Sequence, residues 1–155
     1  MSAPKTILVV HHTVSPSLAE LVEAAVAGVR HPGLEGAARA HIAPALSANA
    51  HDVLEADGYV LVAPVNIGYM AGALKHFFDT IYYPCLTATV GRPYALVMHG
   101  NNDVVGGVRS VEVIAGALEW TRVHEPIEVI GAPDRATLEA VVDLAGTVAA
   151  TSLDP

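Results

Sequence analysis

Short, continuously apolar runs recur along the chain and predict buried strands. The clearest three span residues 6–10, 58–63 and 94–98. None of them alternates between apolar and polar residues, so each is predicted to be buried on both faces of a sheet. Two weaker segments, 37–42 and 123–130, predict further strands. Pro126 interrupts the last of these, which places it at or near a sheet edge.

Segments with apolar residues at helical spacing separate the strands. They cover residues 18–29, 47–55, 74–83, 108–118 and 138–149. Ser15 followed by Pro16 is typical of an N-cap and first helical position, and Asp134 is predicted to cap the last helix. Strands alternating with helices indicate βαβ units around a parallel sheet. We expect one α/β domain over residues 1–155, with a flavodoxin-like, doubly wound, five-stranded parallel sheet of order 2-1-3-4-5 and helices on both faces.

Composition narrows the class of protein. With 52% hydrophobic and 15% charged residues, the chain is predicted to form a packed domain. Its net charge of -8 argues against unaided nucleic-acid binding. The single cysteine, Cys85, excludes an intramolecular disulfide or multi-cysteine metal site. No apolar run reaches the roughly 20 residues of a membrane span and no signal-peptide layout is present, so we expect a cytoplasmic protein without a membrane partner.

The predicted strand order also predicts where a ligand binds. In an open α/β sheet, ligands bind beyond the carboxyl ends of the strands, at the point where the strand order reverses. Here that point lies between the first and third strands. The loops concerned are 11–17, 64–72 and 99–107, which are rich in Ser, Thr, Asn, Gly and His. Fold and composition therefore indicate the same site.

The first loop precedes a predicted helix, whose N-terminus presents unpaired N–H groups. Hydroxyls of Thr13, Ser15 and Ser17 can complete a phosphate-binding nest there without Lys or Arg. Ordinary helix capping by Ser15 explains the same residues equally well. Adjacent strand residues point to opposite faces, so His11 and His12 are not expected to bind one metal ion.

The other two loops combine glycines with polar side chains. In the second loop, Gly68 permits close backbone approach, Asn66 offers a donor and an acceptor, and Tyr69 can contact an aromatic ring. A simple turn is the alternative. In the third loop, Gly106 and Gly107 again permit close approach, and a flexible surface loop is the alternative.

Residues 56–79 resemble the pattern A-D-G-…-P-x-Y-x-G-…-G-x-L-K-x-F-x-D of the flavodoxin-like NAD(P)H-dependent FMN reductase and quinone reductase family. The segment Thr13–Ser17, followed by Leu18-Ala19-Glu20, is similar to that family's phosphate loop, T-G-N-T-x-x-L-A-E. The resemblance covers roughly residues 6–118. Asn66 stands where the family usually has tyrosine, and Val14 replaces the glycine of T-G-N-T.

The resemblance implies noncovalent FMN, with its phosphate in loop 11–17 and its isoalloxazine between loops 64–72 and 99–107. It implies an oxidoreductase that uses NAD(P)H to reduce flavin, quinone or a similar small acceptor, with no catalytic acid or base and no metal. A flavodoxin-like electron carrier or a non-catalytic flavin-binding module is the alternative, and a surface around Tyr82-Tyr83-Pro84 could support a homo-oligomer. The predicted cofactor-binding residues are His12, Thr13, Ser15, Ser17, Pro64, Val65, Asn66, Ile67, Gly68, Tyr69, Met70, His99, Gly100, Asn101, Gly106 and Gly107.

Overall fold

The computed structural model describes residues 3–154. Its strands are β1 (Lys5–His11), β2 (Ala38–Pro44), β3 (Gly58–Asn66), β4 (Tyr69–Met70), β5 (Pro93–Gly100), β6 (Thr121–Arg122) and β7 (Ile127–Ile130). Its α-helices are α1 (Pro16–Val29), α2 (Ala50–Glu55), α3 (Gly72–Cys85), α4 (Val105–Ala117) and α5 (Arg135–Leu153), with a 3₁₀ turn at Pro32–Leu34. The prediction of a single domain over 1–155 includes three terminal residues outside the described part.

The strands form one sheet in the order β2-β1-β3-β5-β6, and β7 also pairs with β5. All these pairings are parallel, so the predicted order 2-1-3-4-5 is confirmed, with β6 and β7 sharing the fifth position. Two details differ from the prediction. The last strand is divided, because Pro126 lies between β6 and β7 and cannot donate to a ladder. In addition, β4 pairs antiparallel with β3.

Helices cover both faces of the sheet, as predicted. On one face, α1 and α5 pack against alternate residues of β1, β3 and β5, including Val9, Val60 and Val97. On the other face, α2, α3 and α4 pack against the intervening residues, such as Leu8 and Leu61. The central strands are therefore buried on both faces, which explains their uninterrupted apolar sequences.

Several boundaries differ from those predicted. Asn49, not Ser47, caps α2, in a reciprocal pair with Asp52. The predicted loop 99–107 is shorter than expected, because β5 continues to Gly100 and α4 already begins at Val105. Gly106 and Gly107 therefore lie in the first turn of a helix and not in a loop.

Helix α5 is long and apolar enough to cross a membrane when judged by length and composition alone. In the structure, one face of α5 is buried in the cluster that also contains α1 and the central strands. The buried residues are Val141, Leu144, Ala145, Val148 and Ala149. The apolar residues of that face therefore belong to the core of the domain.

Candidate functional site

A cleft of about 220 Å³ lies at the carboxyl ends of β3 and β5, beside the N-terminus of α1. It is lined by Val14, Ser15, Leu18, Pro64, Val65, Asn66, His99, Gly100 and Asn101. These residues come from all three segments that the sequence predicts to meet at the reversal of strand order. Larger depressions of about 470 Å³ along α4 and β7 and about 400 Å³ along β2 and α2 lie away from this point.

The loop after β1 forms the first side of the cleft. Ser15 caps α1 as predicted, because its Oγ accepts the Leu18 N–H at 3.3 Å. Within residues 3–154, no hydrogen bond is found for the N–H groups of residues 13, 14, 15 and 17. Such groups at a helix N-terminus attract an anion. No Lys or Arg lines the cleft, so backbone and hydroxyl groups would have to hold the anion.

Two adjacent histidines, His11 and His12, lie at the start of this loop. The His11 Nδ1 and Thr13 Oγ1 atoms lie 2.8 Å apart and form a hydrogen bond. Burial, and to a lesser degree the neighbouring His12, lowers the pKa of His11. The His12 N–H is engaged, because it donates to the Val62 carbonyl at 3.1 Å. No group of three described His, Cys, Asp or Glu side chains is placed to hold a metal ion.

A hairpin between β3 and β4 forms the second side. Val65 pairs with Met70 and Asn66 with Tyr69. The two turn residues, Ile67 and Gly68, have φ values of 52° and 72°, which is the pattern of a type I′ turn. The expected βα loop over 64–72 is therefore a two-residue hairpin, which the Pro-, Asn- and Gly-rich sequence did not reveal.

Helix α4 supports this hairpin. A Cβ atom at Gly106 would collide with the Gly68 carbonyl, and one at Gly107 would collide with the Val65 side chain. Ser110 Oγ donates to the Gly107 carbonyl at 2.7 Å and accepts the Met70 N–H at 3.2 Å. These glycines therefore allow the hairpin to pack closely against α4. Contact between the glycines and a ligand stays a prediction.

The end of β5 forms the third side. His99 is the register partner of Pro64 on β3, and both residues line the cleft. His99 is only 9% exposed, and its Nε2 lies 2.9 Å from the Gly131 carbonyl. A carbonyl can only accept, so Nε2 must carry the hydrogen. The Gly131 N–H in turn donates to the Gly100 carbonyl at 2.9 Å.

The predicted site residues divide into three groups. Seven line the cleft: Ser15, Pro64, Val65, Asn66, His99, Gly100 and Asn101. Six lie in the adjoining segments without lining it: His12, Thr13, Ser17, Ile67, Gly68 and Tyr69. Gly106 and Gly107 lie in α4, and Met70 is 2% exposed with its N–H bound to Ser110.

Two cleft residues, Val14 and Leu18, were missed by sequence reasoning. Val14 is an apolar residue among the hydroxyl-bearing residues of the first loop, so its side chain gives no polar signal for a binding site. Leu18 is the first residue of the apolar face of α1 and was assigned to the core. Its position one turn after the N-cap is the signal that could have placed it at the cleft.

No family model and no curated protein sequence matches the chain. Solved structures do. A flavodoxin from the domain Archaea is 14% identical, with a TM-score of 0.79 over 96% of this chain and 99% of that chain. A WrbA-like flavodoxin protein from Agrobacterium tumefaciens is 14% identical, with a TM-score of 0.76 over 97% and 98%. An oxidoreductase from Corynebacterium diphtheriae is 17% identical, with a TM-score of 0.74 over 99% and 100%. The chain therefore has the flavodoxin-like fold that its strand order predicts.

Proposed function

We propose that the chain binds FMN noncovalently in the cleft and uses NAD(P)H to reduce flavin, quinone or a similar small acceptor. The observation that carries the proposal is one cleft that joins the start of α1 to the β3–β4 hairpin. At the start of α1, several N–H groups have no partner among residues 3–154. The likeness in fold to proteins described as flavodoxins and as an oxidoreductase supports it.

The residues of the cleft fit an anion joined to a ring. The start of α1 offers N–H donors and the Ser15 hydroxyl, while the opposite end offers the amides of Asn66 and Asn101. The volume of about 220 Å³ is below the roughly 300–1,000 Å³ of pockets that enclose a drug-sized ligand. We therefore expect part of the flavin to remain at the surface. The net charge of -8 opposes a phosphate at long range, so we also expect exchangeable binding.

FMN, when bound, supplies the capacity to accept hydride and to pass on one or two electrons. The chain contributes binding and position. Of the side chains that line the cleft, only His99 is of a type that transfers protons, and its Nε2–H is held by the Gly131 carbonyl. Cys85 is fully buried, and burial raises the pKa of its thiol. We therefore assign no catalytic acid, base or nucleophile.

An electron carrier or a non-catalytic flavin-binding module is the second candidate. Neighbours described as flavodoxins favour it. Against it, Trp120, the single tryptophan, is 5% exposed and stacks on Tyr59 with ring centroids 4.2 Å apart. Trp120 therefore belongs to the core. Tyr69 on the hairpin, 44% exposed, is the aromatic residue left near the cleft, where a carrier would place a pair.

An absorbance spectrum and an FMN titration followed by flavin fluorescence test the proposal. Saturable FMN binding, together with NADH or NADPH oxidation in the presence of a quinone, is expected. Reduction of bound FMN only through a separate reductase would favour the carrier. A colourless protein that binds no added FMN would contradict both functions.

The remaining parts of the proposal concern partners. We propose a small-molecule acceptor and a cytoplasmic location. Tyr83 on α3 is 81% exposed, and we propose the surrounding face of α3 as the contact if the protein self-associates. Sedimentation of wild type and Tyr83→Glu tests that contact, because a charge should weaken an apolar interface.

A further inference from the structure

The floor of the cleft, formed by Pro64 and His99, has few free polar groups. Pro64 has no N–H, and the backbone carbonyls around the floor are already engaged. Val62 O accepts from His12 N at 3.1 Å, Pro64 O from Ala71 N at 3.1 Å, and Gly100 O from Gly131 N at 2.9 Å. A ligand that crosses this floor must therefore find its polar partner on a side chain.

The His99 ring supplies that partner. Its Nε2–H is held by the Gly131 carbonyl, so Nδ1 of the neutral ring is a hydrogen-bond acceptor. No partner for Nδ1 is found within residues 3–154, and no described buried side-chain nitrogen or oxygen lacks a partner. It follows that Nδ1 is not sealed in the core. Because His99 lines the cleft, we expect Nδ1 to be reached from there.

His99 also lies on the face of the sheet that carries α1. In the sheet order β1-β3-β5, helix α1 follows β1, the hairpin continues from β3, and loop 101–104 follows β5. Alternation along the strands places Pro64 and His99 on the α1 side, with Val62 and Val97. A ligand with an anion at α1 and a ring at the hairpin and loop 101–104 extends across this face of the sheet, where Pro64 and His99 line the cleft.

We infer, on the basis of the proposed function, that His99 Nδ1 accepts a hydrogen bond from a hydroxyl group in the chain that joins the phosphate of the ligand to its ring. The site thereby selects flavins with a polyhydroxyl chain over the bare ring. A hydroxyl suits this position because it can donate, whereas a phosphate or ring carbonyl oxygen can only accept. The ring N3–H is the other donor of a flavin, and lumiflavin retains it, so a comparison with lumiflavin separates the two.

The test is a comparison of three ligands with wild type and His99→Phe. FMN has phosphate and polyhydroxyl chain, riboflavin has the chain alone, and lumiflavin has neither. We expect His99→Phe to weaken the binding of FMN and riboflavin about tenfold, or about 1.4 kcal/mol. The affinity for lumiflavin should stay within about twofold of wild type. His51→Phe, an exposed position on α2, is the matched control and should change none of the three.

Each other result is informative. Equal weakening of all three ligands would overturn the inference in favour of a ring contact or general damage, and no weakening would overturn it directly. Both results leave FMN binding, and so the proposed function, intact. Failure of wild type to bind FMN overturns the proposed function and this inference together.

His99→Phe also removes the hydrogen bond to Gly131. A second measurement therefore uses wild type alone. In ¹⁵N-labelled wild type, the His99 ring should report hydrogen on Nε2 and none on Nδ1. Riboflavin should shift the Nδ1 resonance in the direction of an accepted hydrogen bond, and lumiflavin should not. An unchanged Nδ1 resonance at saturating riboflavin would overturn the inference.

Discussion

Gly106, in the first turn of α4, lies against the carbonyl oxygen of Gly68 at the tip of the β3–β4 hairpin, with no space between them for a Cβ atom. The two residues are far apart in sequence and belong to different predicted loops. Their contact fixes the hairpin against α4 and therefore sets one side of the cleft. The hairpin position depends on the absence of a side chain at Gly106.

Gly106→Ala is predicted to destabilise the protein by about 1–3 kcal/mol, because a backbone atom must move to admit the methyl group. FMN affinity should fall with it, since the hairpin is displaced. Gly116→Ala, in the same helix but with open space around it, is the control. It should stabilise by up to about 1 kcal/mol through helix propensity. Urea unfolding of the two variants is the measurement, and equal effects would contradict the packing role.

Ile67 combines a left-handed φ of 52° with complete exposure, at 104%. A β-branched residue is strained there, and its side chain gains nothing from burial. Ile67→Asn is therefore predicted to stabilise by about 1 kcal/mol, because Asn adopts this conformation readily. Leu46→Asn, exposed but without a left-handed φ, should bring no such gain. The measurement is the denaturant midpoint of each variant. A lower midpoint for Ile67→Asn than for wild type would contradict the strain at this position.

The strand order and the meeting of three loops could be predicted because they follow from uninterrupted apolar runs and from the geometry of parallel sheets. The hairpin could not. Ile67 disfavours the turn that it occupies, and the turn forms because α4 supports it through Gly106 and Ser110. Local sequence does not contain that long-range contact.

The glycines of the third loop predicted contact with a ligand, and the structure explains them differently for a related physical reason. Gly106 and Gly107 permit close approach, as the sequence indicates, but the partner that approaches is the hairpin. A sequence identifies where a side chain is absent and does not identify which atoms use the space. Met70 is among the predicted cofactor-binding residues, yet alternation along β4 buries its side chain.

Ser15→Ala is predicted to cost about 1 kcal/mol of stability, because the Leu18 N–H loses its cap. It should also weaken FMN binding, as should Ser17→Ala. Asp134→Ala removes the equivalent cap of α5, where Oδ1 accepts the Thr137 N–H at 2.8 Å, and should cost similar stability without changing FMN affinity. Unchanged FMN affinity in both serine variants would count against a phosphate at α1.

Arg92 joins the end of α2 to the sheet. The two hydrogens of its Nη1 are shared among the carbonyls of Val53, Leu54 and Ala56, which lie 2.7–3.1 Å away. Arg92→Ala is predicted to destabilise by about 2–3 kcal/mol, because hydrogen bonds from a charged group are lost and partly buried carbonyls are left unpaired. Arg30→Ala, an exposed position for whose side chain no hydrogen bond is found in residues 3–154, should change stability by less than about 0.5 kcal/mol.

Tyr59 makes stability depend on alkaline pH. Burial raises the pKa of Tyr59 to about 12, above the value near 10 of an exposed tyrosine. The folded state holds the Tyr59 proton more tightly than the unfolded state does. The contribution of this proton to the free energy of unfolding is therefore complete below about pH 10 and is lost as pH rises towards 12. Tyr59→Phe should be less stable than wild type at pH 8, since the 2.7 Å bond to Val53 O is absent, and should lose less stability between pH 9 and 11. Tyr83→Phe, at an exposed position, should follow the wild-type profile. Parallel profiles for wild type and Tyr59→Phe would contradict this assignment.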